Sequence, residues 1–368
     1  MNWNVVGFIG FGLIGGSLAR ALKEQESAPK IIAYNYHTGQ TPKGLALALS
    51  DHVLDVVTED MNDLAECDLI FLCAPVLKNI EYLSALKPII KRDCILTDVG
   101  SVKSNIHEAV TELGLSAQFI GGHPMTGSEK TGYENSYAML LENAYYILTP
   151  CAETPADVTD AMYALVQSFG ALPIILDCRE HDDITAAISH VPHIIAAQLV
   201  NLVKDSDDPS EKMRLLAAGG FKDITRIASA SPVMWENICL TNTKSIRRFL
   251  NRYIEYLKEA DLALAEEDSD ALYRLFDEAG TYRNAIPNRK SGAIHKVYEI
   301  FLDIIDEAGA IATVATLLAT NHISIKNIGI IHNREFEEGV LRIEFYEESA
   351  AGLAKALLTR YRYTIYER

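Results

Sequence analysis

The chain has 368 residues, of which 49% are hydrophobic and 23% are charged, and its 33 basic and 50 acidic side chains give a formal net charge of −17. At about 150 residues per domain this length predicts two or three domains, and the apolar content excludes a disordered chain. The excess of carboxylates repels phosphate backbones and anionic lipid, so we expect neither nucleic acid nor a membrane as a partner. An anionic ligand therefore needs a local cationic pocket.

The cysteines and the uncharged stretches bear on the cellular compartment. The six cysteines include no CxxC pair, which argues against a zinc ribbon and against a disulfide framework. Residues 1–19, 184–203 and 309–325 are uncharged, but they are too rich in glycine, too polar or too short to be predicted as membrane spans. With no signal peptide recognised, we expect a cytoplasmic protein with reduced thiols.

The N-terminal half alternates short strand-like runs with helical patterns, as is typical of parallel βαβ units. The predicted helices include residues 16–23 and 44–49, and the predicted strands are residues 5–9, 31–36, 69–73, 94–98, 118–121, 145–149 and 173–176. We therefore predict an α/β fold that begins with a dinucleotide-binding, Rossmann-type doubly wound sheet over residues 1–177.

A glycine-rich turn, GFGLIG at residues 10–15, directly follows the first predicted strand and opens a helix. In this pattern the glycines permit a tight turn, a close approach of backbone to a pyrophosphate and close helix–strand packing, while the helix N-terminus attracts the anion. The residues predicted to hold a dinucleotide are Gly10, Gly12, Leu13, Ile14 and Gly15.

The end of the second predicted strand carries no acid, although an acid commonly binds the ribose 2′-hydroxyl of NAD there. Asn35 can still hydrogen-bond a hydroxyl, whereas His37 or Thr38 can tolerate a 2′-phosphate. We expect NAD as the cofactor, with NADP as the alternative.

A second glycine-punctuated segment, GGHPMTGSE at residues 121–129, follows a predicted strand. We predict a loop in which His123 faces a cleft. A histidine placed there can take a proton from an alcohol while hydride leaves the same carbon. An ordinary surface histidine is the alternative.

Residues 182–279 are predicted to be helical almost throughout, with a polar break at 204–210, and we assign a helical domain to residues 178–290. Lys222 and Arg226 stand four residues apart on one helical face, and Asp223 offsets only part of their repulsion. On a chain of net negative charge this pair indicates a clamp for a carboxylate, with a solvated basic face as the alternative.

His190 and His193 lie on one helical face beside Pro192, which is predicted to kink the helix. The HxxH spacing allows a metal site, but no third ligand is obvious nearby, so we expect no metal. Substrate-lining side chains or a satisfied buried histidine are the favoured interpretations.

Residues 279–298 contain basic side chains and no acid, which predicts a positively charged connector that is either a solvated linker or a segment that faces an anion. After it, residues 297–368 follow the order βαββαβ, which is the ferredoxin-like order. The predicted strands are residues 298–305, 324–331, 340–346 and 363–366, and the predicted helices are 311–319 and 350–358.

Five segments in order resemble the prephenate dehydrogenases and the related arogenate dehydrogenases, over about residues 5–290. They are GFIGFGLIGGS (7–17), DVGSVK (98–103), GGHPMTGSEKTG (121–132), HDDITAAISHVPH (181–193) and GGFKDITRIASASPVMW (219–235). The C-terminal unit resembles an ACT domain, a small-molecule sensor. Asn35 departs from the family pattern, because many relatives that use NAD carry an acid there.

The resemblance implies oxidative decarboxylation of prephenate to 4-hydroxyphenylpyruvate with NAD(P), a step of L-tyrosine biosynthesis. It implies that His123 is catalytic and contacts the 4-hydroxyl, that Ser101 orients this histidine and the nicotinamide, and that Arg226 binds a substrate carboxylate. Substrate-binding or gating positions are further implied for Lys222, Asp223, Glu129, His181, His193 and Trp235.

For the ACT-like unit the resemblance implies feedback by tyrosine, bound near the loop 307–310 and at the next strand. The residues implied are Gly309, Ala310, Asn327 and Ile328. A structural or dimerising appendage is the alternative. Long apolar faces at residues 184–203 and 246–264, together with the resemblance, predict a homodimer.

Three other interpretations stay open. An arogenate dehydrogenase acts on a substrate with an amino group in place of the keto group. A β-hydroxyacid dehydrogenase also joins a nucleotide domain to a helical domain, but it uses a catalytic lysine and leaves the HPMTG segment unexplained. A nucleotide- and amino-acid-sensing protein without turnover is the third.

Overall fold

The computed structural model describes residues 3–35, 41–127, 130–286, 298–304, 309–331 and 339–366. The chain divides into two compact units, Met1–Gly292 and Ala293–Arg368. The first unit contains two sheets and a helical part, and the second contains one sheet with two helices.

The first sheet has five parallel strands in the order β3-β2-β1-β4-β5. Its strands and helices are β1 (Val5–Ile9), α1 (Leu13–Lys23), β2 (Lys30–Tyr34), α2 (Lys43–Ser50), β3 (Val56–Thr58), β4 (Leu69–Leu72), α3 (Val76–Leu86), β5 (Ile95–Asp98) and α4 (Ser104–Glu112). Val6 and Phe8 pack into one buried cluster and Ile9 and Ile70 into another, so apolar layers cover both faces of the sheet. The predicted Rossmann-type sheet is confirmed over these five strands, whereas the three-residue strand β3 and the helices α3 and α4 were not among the predicted elements.

A second sheet has the order β6-β7-β8 and meets the first through a bridge between Leu96 and Phe119. Its elements are β6 (Ile120–Pro124), β7 (Tyr145–Pro150), α5 (Ala156–Ser168) and β8 (Leu172–Ile175). The prediction of a single doubly wound sheet over residues 1–177 is therefore corrected, because these strands form a separate sheet in which β6 and β7 run antiparallel. Because only short 3₁₀ turns are described between these two strands, there is no helical crossover to return the chain in the parallel direction.

The predicted helical part is present and extends to residue 285. It consists of α6 (Cys178–Thr185), a π-helical turn (Ala186–His190), α7 (Val191–Ser206), α8 (Lys212–Leu216), α9 (Gly219–Thr225), a 3₁₀ turn (Arg226–Ser229), α10 (Pro232–Thr241), α11 (Thr243–Ala265) and α12 (Ser269–Ala285). The irregularity expected from Pro192 is the π-helical turn just before it, because proline has no N–H for the normal helical hydrogen bond. Residues 279–285 belong to α12 rather than to a connector, and residues 287–297 lie outside the described residues.

Among the described residues, one helical run, Cys178–Ser206, is long and apolar enough to span a membrane by length and composition. Core helices of soluble proteins pass the same test. His181, Asp182 and His190 are buried within this run and contact other parts of the first unit. These three polar side chains of the run therefore serve internal contacts.

The second unit has the predicted βαββαβ order, with an antiparallel sheet in the order β10-β11-β9-β12. Its elements are β9 (Tyr298–Ile304), α13 (Ala310–Thr320), β10 (Ile325–Ile331), β11 (Gly339–Phe345), α14 (Glu348–Arg360) and β12 (Ile365–Tyr366). Leu302, Leu341 and Ile343 of the sheet pack with Val314 and Leu358 of the helices in one core. This is the ferredoxin-like arrangement of two helices on one face of the sheet.

Candidate functional site

The turn between β1 and α1 has the geometry of an anion cradle. Gly10 has a φ of +86°, which favours glycine, and a Cβ on Gly15 would lie 2.9 Å from the carbonyl oxygen of Gly10. A Cβ on Gly12 would meet no atom within 4 Å, so the space in front of this residue is open. No side chain caps the N-terminus of α1, and the first turn carries no acid. Leu13 and Ile14 begin this helix, whose first N–H groups have no partners within the helix.

Asn35 follows β2, at the position where the ribose of a dinucleotide is expected. Its backbone N–H donates to the carbonyl of Thr58 at 3.1 Å, which holds the end of β2 against β3. His37 and Thr38, the residues suggested for a 2′-phosphate, lie outside the described residues.

His123 lies within β6 and not in a loop after a strand, which corrects the sequence prediction. The two preceding glycines serve close packing: a Cβ on Gly121 would lie 2.2 Å from Oγ1 of Thr149, and one on Gly122 would lie 2.6 Å from the carbonyl oxygen of Asp98. Because both positions lack a side chain, β6 packs against β7 and the end of β5. This packing brings His123 to the carboxyl end of the first sheet, where ligands of open α/β sheets bind.

The ring of His123 pairs with a second histidine. Its Nδ1 lies 2.8 Å from Nε2 of His181, and Nδ1 of His181 lies 2.9 Å from Oδ1 of Asp182. Asp182 also accepts the backbone N–H groups of Lys103 and Ser104 at 2.7 and 2.8 Å. The result is a row of two imidazoles and one carboxylate, in which His181 and Asp182 are buried and His123 is half-buried.

Burial controls the protonation of this row. It lowers the pKa of His123 well below its usual value, and the neighbouring charges of His181, Lys103 and His190 act in the same direction. Burial also lowers the pKa of His181, although the bond to Asp182 opposes it. Burial alone raises the pKa of Asp182, but hydrogen bonds from His181, Ser104 and Lys103 hold it below its usual value. At neutral pH both imidazoles are therefore uncharged and Asp182 is ionised.

A buried ion pair lies behind His123. Lys103 Nζ donates to Oδ2 of Asp98, and both side chains are 0% exposed. Asp98 also accepts the backbone N–H groups of Gly100 at 2.9 Å and of Gly122 at 3.3 Å. Ser101 lies half-buried in the same turn between β5 and α4. The pair thus links the turn that carries Ser101 to the strand that carries His123.

A second group of rings centres on Trp235 in α10. His193 stacks on its indole with ring centroids 3.7 Å apart, and His190 contacts it edge-on at 5.9 Å. His193 also hydrogen-bonds to the backbone of Ile227. Burial lowers the pKa of His193, and the positive charge of Arg226 lowers it further. The charge of Arg226 therefore lies close enough to affect His193.

The cationic pair is arranged differently from the prediction. α9 ends at Thr225, and Arg226 begins a 3₁₀ turn, so Lys222 and Arg226 do not share one continuous helical face. Thr225 Oγ1 donates to the carbonyl of Phe221 at 2.6 Å at this helix end. The side chains of Lys222, Asp223 and Arg226 are exposed in this chain.

Two further expectations concern Glu129 and a metal site. Glu129 lies outside the described residues. Within the described residues, no group of three or more His, Cys, Asp or Glu side chains is arranged to hold a metal ion.

Sequence reasoning missed several residues of this site, namely Asp98, Lys103, Asp182 and Asn242. Asn242 donates from Nδ2 to the carbonyl of Asp182 at 2.8 Å, and this nitrogen lies 3.2 Å from Nδ1 of His190. Asp98, Lys103 and Asp182 lie in two of the five segments that carry the resemblance, and their place in these segments was the available signal. Asn242 lies in none of them.

The comparisons with known proteins indicate one enzyme family. A family model described as prephenate dehydrogenase, nucleotide-binding domain matches residues 18–175, and one described as prephenate dehydrogenase, dimerization domain matches residues 177–278. A prephenate dehydrogenase of Bacillus subtilis is 37% identical over 344 residues, covering 92% of this chain and 91% of the relative. A cyclohexadienyl dehydrogenase of Zymomonas mobilis is 32% identical over 283 residues, covering 76% and 95%.

A solved structure is also similar. It is the prephenate dehydrogenase from A. aeolicus in complex with hydroxyphenyl propionate and NAD⁺, with a TM-score of 0.72 at 28% identity, covering 78% of this chain and 99% of that one. One conclusion follows from both family models, from the relative at 37% identity and from the fold of the first unit. This chain belongs to the prephenate dehydrogenase family, and its N-terminal part is the nucleotide-binding domain.

Proposed function

We propose that this chain catalyses the NAD-dependent oxidative decarboxylation of prephenate to 4-hydroxyphenylpyruvate, a cytoplasmic step of L-tyrosine biosynthesis. The observation that carries the proposal is the position of His123, an uncharged, half-buried imidazole at the carboxyl end of a Rossmann-type sheet. We assign the dinucleotide to residues 1–177, the substrate and dimer contacts to residues 178–290, and regulation to residues 297–368.

The glycine turn fits a dinucleotide. Gly12 leaves open space where a pyrophosphate approaches, and the uncapped N-terminus of α1, at Leu13 and Ile14, supplies N–H donors to it. Asn35 is assigned to the ribose hydroxyls. When bound, NAD⁺ accepts the hydride that leaves C4 of the substrate. The complex of the A. aeolicus relative with NAD⁺ supports this assignment, and NADP is the alternative cofactor.

His123 acts as the base in this mechanism. As hydride leaves C4, its uncharged ring takes the proton of the 4-hydroxyl. Loss of the ring carboxylate as carbon dioxide makes the ring aromatic, and the proton on His123 returns to the phenolic oxygen. The sum is prephenate plus NAD⁺ giving 4-hydroxyphenylpyruvate, carbon dioxide and NADH, with no net proton released. A histidine with a lowered pKa suits this cycle, because it remains unprotonated between turnovers.

The dianionic substrate needs cations at the other end of the site. Arg226 is assigned to a substrate carboxylate, because a guanidinium can bind both oxygens in a charge-assisted pair. It lies within electrostatic reach of His193, which stacks on Trp235. Lys222, Asp223, His193, Trp235 and Glu129 are assigned to the same substrate pocket or its entrance, and Ser101 to the orientation of His123 and the nicotinamide.

The decisive experiment follows the absorbance of reduced nicotinamide with prephenate and with arogenate, each with NAD and with NADP. We expect the highest kcat/KM with prephenate and NAD. Arogenate dehydrogenation is the second candidate, favoured by the similarity to a cyclohexadienyl dehydrogenase. Cofactor binding without turnover on either substrate would reject both.

For the second unit we propose an ACT domain that binds tyrosine and inhibits the enzyme. Gly309, with a φ of +96°, precedes α13, which starts at Ala310, and Asn327 and Ile328 lie on the edge strand β10. The test compares tyrosine inhibition of the whole chain with that of a chain ending at residue 296. Equal inhibition of both would show that the unit is only structural.

A homodimer is part of the proposal. Large apolar side chains are exposed on the long helices, for example Leu257 and Leu264 of α11 and Phe276 of α12. Exposed apolar surface of this kind marks an interface, and the matching family model is a dimerization domain. Light scattering at micromolar concentration should give twice the chain mass, and a monomer would contradict the assignment.

A further inference from the structure

We propose that His181 and Asp182 are positioning residues that determine which ring nitrogen of His123 carries hydrogen, so that Nε2 of His123 is left as the proton acceptor. The inference rests on the proposed function, because it assigns His123 as the base of that reaction. It concerns the protonation pattern of the row, which can be measured whether or not the substrate is prephenate.

The backbone partners of the Asp182 carboxylate are N–H groups, which can only donate. Oδ1 accepts the N–H of Lys103 at 2.7 Å, and Oδ2 accepts the N–H of Ser104 at 2.8 Å. The carboxylate is therefore an acceptor, and the nitrogen of His181 that faces it, Nδ1 at 2.9 Å, must carry hydrogen. A neutral imidazole has one N–H, so Nε2 of His181 presents a lone pair.

That lone pair faces Nδ1 of His123 at 2.8 Å. Two lone pairs at this distance repel, so Nδ1 of His123 carries the hydrogen and donates it to His181. A neutral His123 then has its lone pair on Nε2, on the side of the ring away from His181. The order of donors and acceptors along the row thus selects one tautomer of the base.

The alternative is a protonated His181, which would donate to both neighbours and put hydrogen on Nε2 of His123. The charges around the row disfavour it. Burial and the charge of Lys103 act against a cation on His181, whereas Asp182 and Asp98 favour one, and the net effect is a lowered pKa. On the His123 side the neighbouring ionisable groups are His181, Lys103 and His190, and all of them disfavour a cation.

Contacts from both the sheet-containing part and the helical part of the first unit hold the row in place. His181 and Asp182 are 0% and 2% exposed, so water does not compete for their hydrogen bonds. Asp182 joins α6 to the start of α4, and its carbonyl accepts from Asn242 at the start of α11. A rigid row costs little reorganisation when His123 takes the substrate proton, because His181 already accepts the hydrogen bond that stabilises the new cation.

Three substitutions separate positioning from simple packing. His181→Leu keeps the bulk and removes the acceptor for His123. His181→Gln restores an acceptor, because its amide oxygen reaches the place of Nε2. Asp182→Asn removes the charge that orients His181. His107→Gln is the matched control, since it removes another buried imidazole of this unit, one that contacts Thr149 and Cys151 instead.

The primary measurement is the ¹⁵N chemical shift of the histidine rings in the whole, ¹⁵N-histidine-labelled protein, with the signals assigned through His123→Asn. We expect hydrogen on Nδ1 of His123 in the wild type and in His181→Gln, and a mixture of tautomers in His181→Leu and Asp182→Asn. Hydrogen on Nε2 of His123 in the wild type would overturn the inference, even if every variant failed to fold.

The second measurement is the kinetics with prephenate and NAD across pH. We expect His181→Leu to lower kcat on the order of 10²-fold with little change in the prephenate KM, as for loss of an oriented base, and His181→Gln to recover most of it. A wild-type kcat in His181→Leu, or equal losses in the Leu and Gln variants, contradicts the positioning role. If the wild type turns over neither candidate substrate, the proposed function fails while the ring shifts still decide this inference.

Discussion

The buried pair of Lys103 and Asp98 allows a quantitative prediction, because removal of one partner leaves the other charge in the core. In Lys103→Met, Asp98 would keep the N–H donors of Gly100 and Gly122 but lose its cation, and both side chains of the pair are 0% exposed. Breaking a fully buried pair in this way costs about 3–5 kcal/mol. At roughly 2–4 °C per kcal/mol for domains of 150–250 residues, Tm should fall by about 10 °C.

An exposed ion pair on the surface provides the control for this buried pair. Lys78 pairs with Glu81 three residues along α3, at 2.7 Å, with side chains 59% and 63% exposed. Lys78→Met should therefore leave the free energy of unfolding almost unchanged. The double variant Lys103→Met with Asp98→Asn should be more stable than Lys103→Met alone, because the uncompensated charge is gone.

The assay is thermal and urea unfolding of the four proteins, with the acid limb of kcat/KM as a second readout. The charge of Lys103 helps to keep the pKa of His123 low, so Lys103→Met should move this limb to higher pH. A loss below about 1 kcal/mol in Lys103→Met, similar to that of Lys78→Met, would refute the reasoning that burial sets the cost.

Four further predictions test the site. His123→Asn should lower kcat by roughly 10²- to 10⁴-fold, as for a lost general base, and full turnover in a steady-state assay would rule out the assignment. Arg226→Ala should mainly raise the prephenate KM, and titration kinetics showing a changed kcat alone would contradict a binding role. Gly12→Ala should fold normally, because its Cβ meets no atom within 4 Å, yet raise the KM for NAD, and an unchanged value would place the pyrophosphate elsewhere. Burial lowers the pKa of His190 from 6.5 to about 4, so the unfolded state binds more protons between these values. The contribution of His190 to the free energy of unfolding should thus be fully present above pH 6.5 and about 2 kcal/mol smaller at pH 5. His190→Gln should reduce this loss in thermal unfolding scans.

The local pattern of residues predicted much of the architecture. The turn at residues 10–15 was recognisable because its conformation depends on glycines within six residues, and Gly10 indeed has a positive φ. The order of strands and helices in the second unit followed from hydrophobic periods of two and 3.6, which act over a single element. The same patterns failed at β6, where glycines that serve close packing were interpreted as a loop.

Only the tertiary structure decided which side chains meet. His123 and His181 are 58 residues apart in the chain, and their contact depends on how β6 packs against β5 and how α6 docks on α4. The ionisation of the row is also a tertiary property, because burial lowers the pKa of each imidazole and burial exists only in the folded unit. The sequence by itself determined the kinds of groups and the elements that carry them, since these depend on near neighbours. The folded structure determined their pairing and protonation, because those depend on distances and solvent exclusion between residues that are remote along the chain.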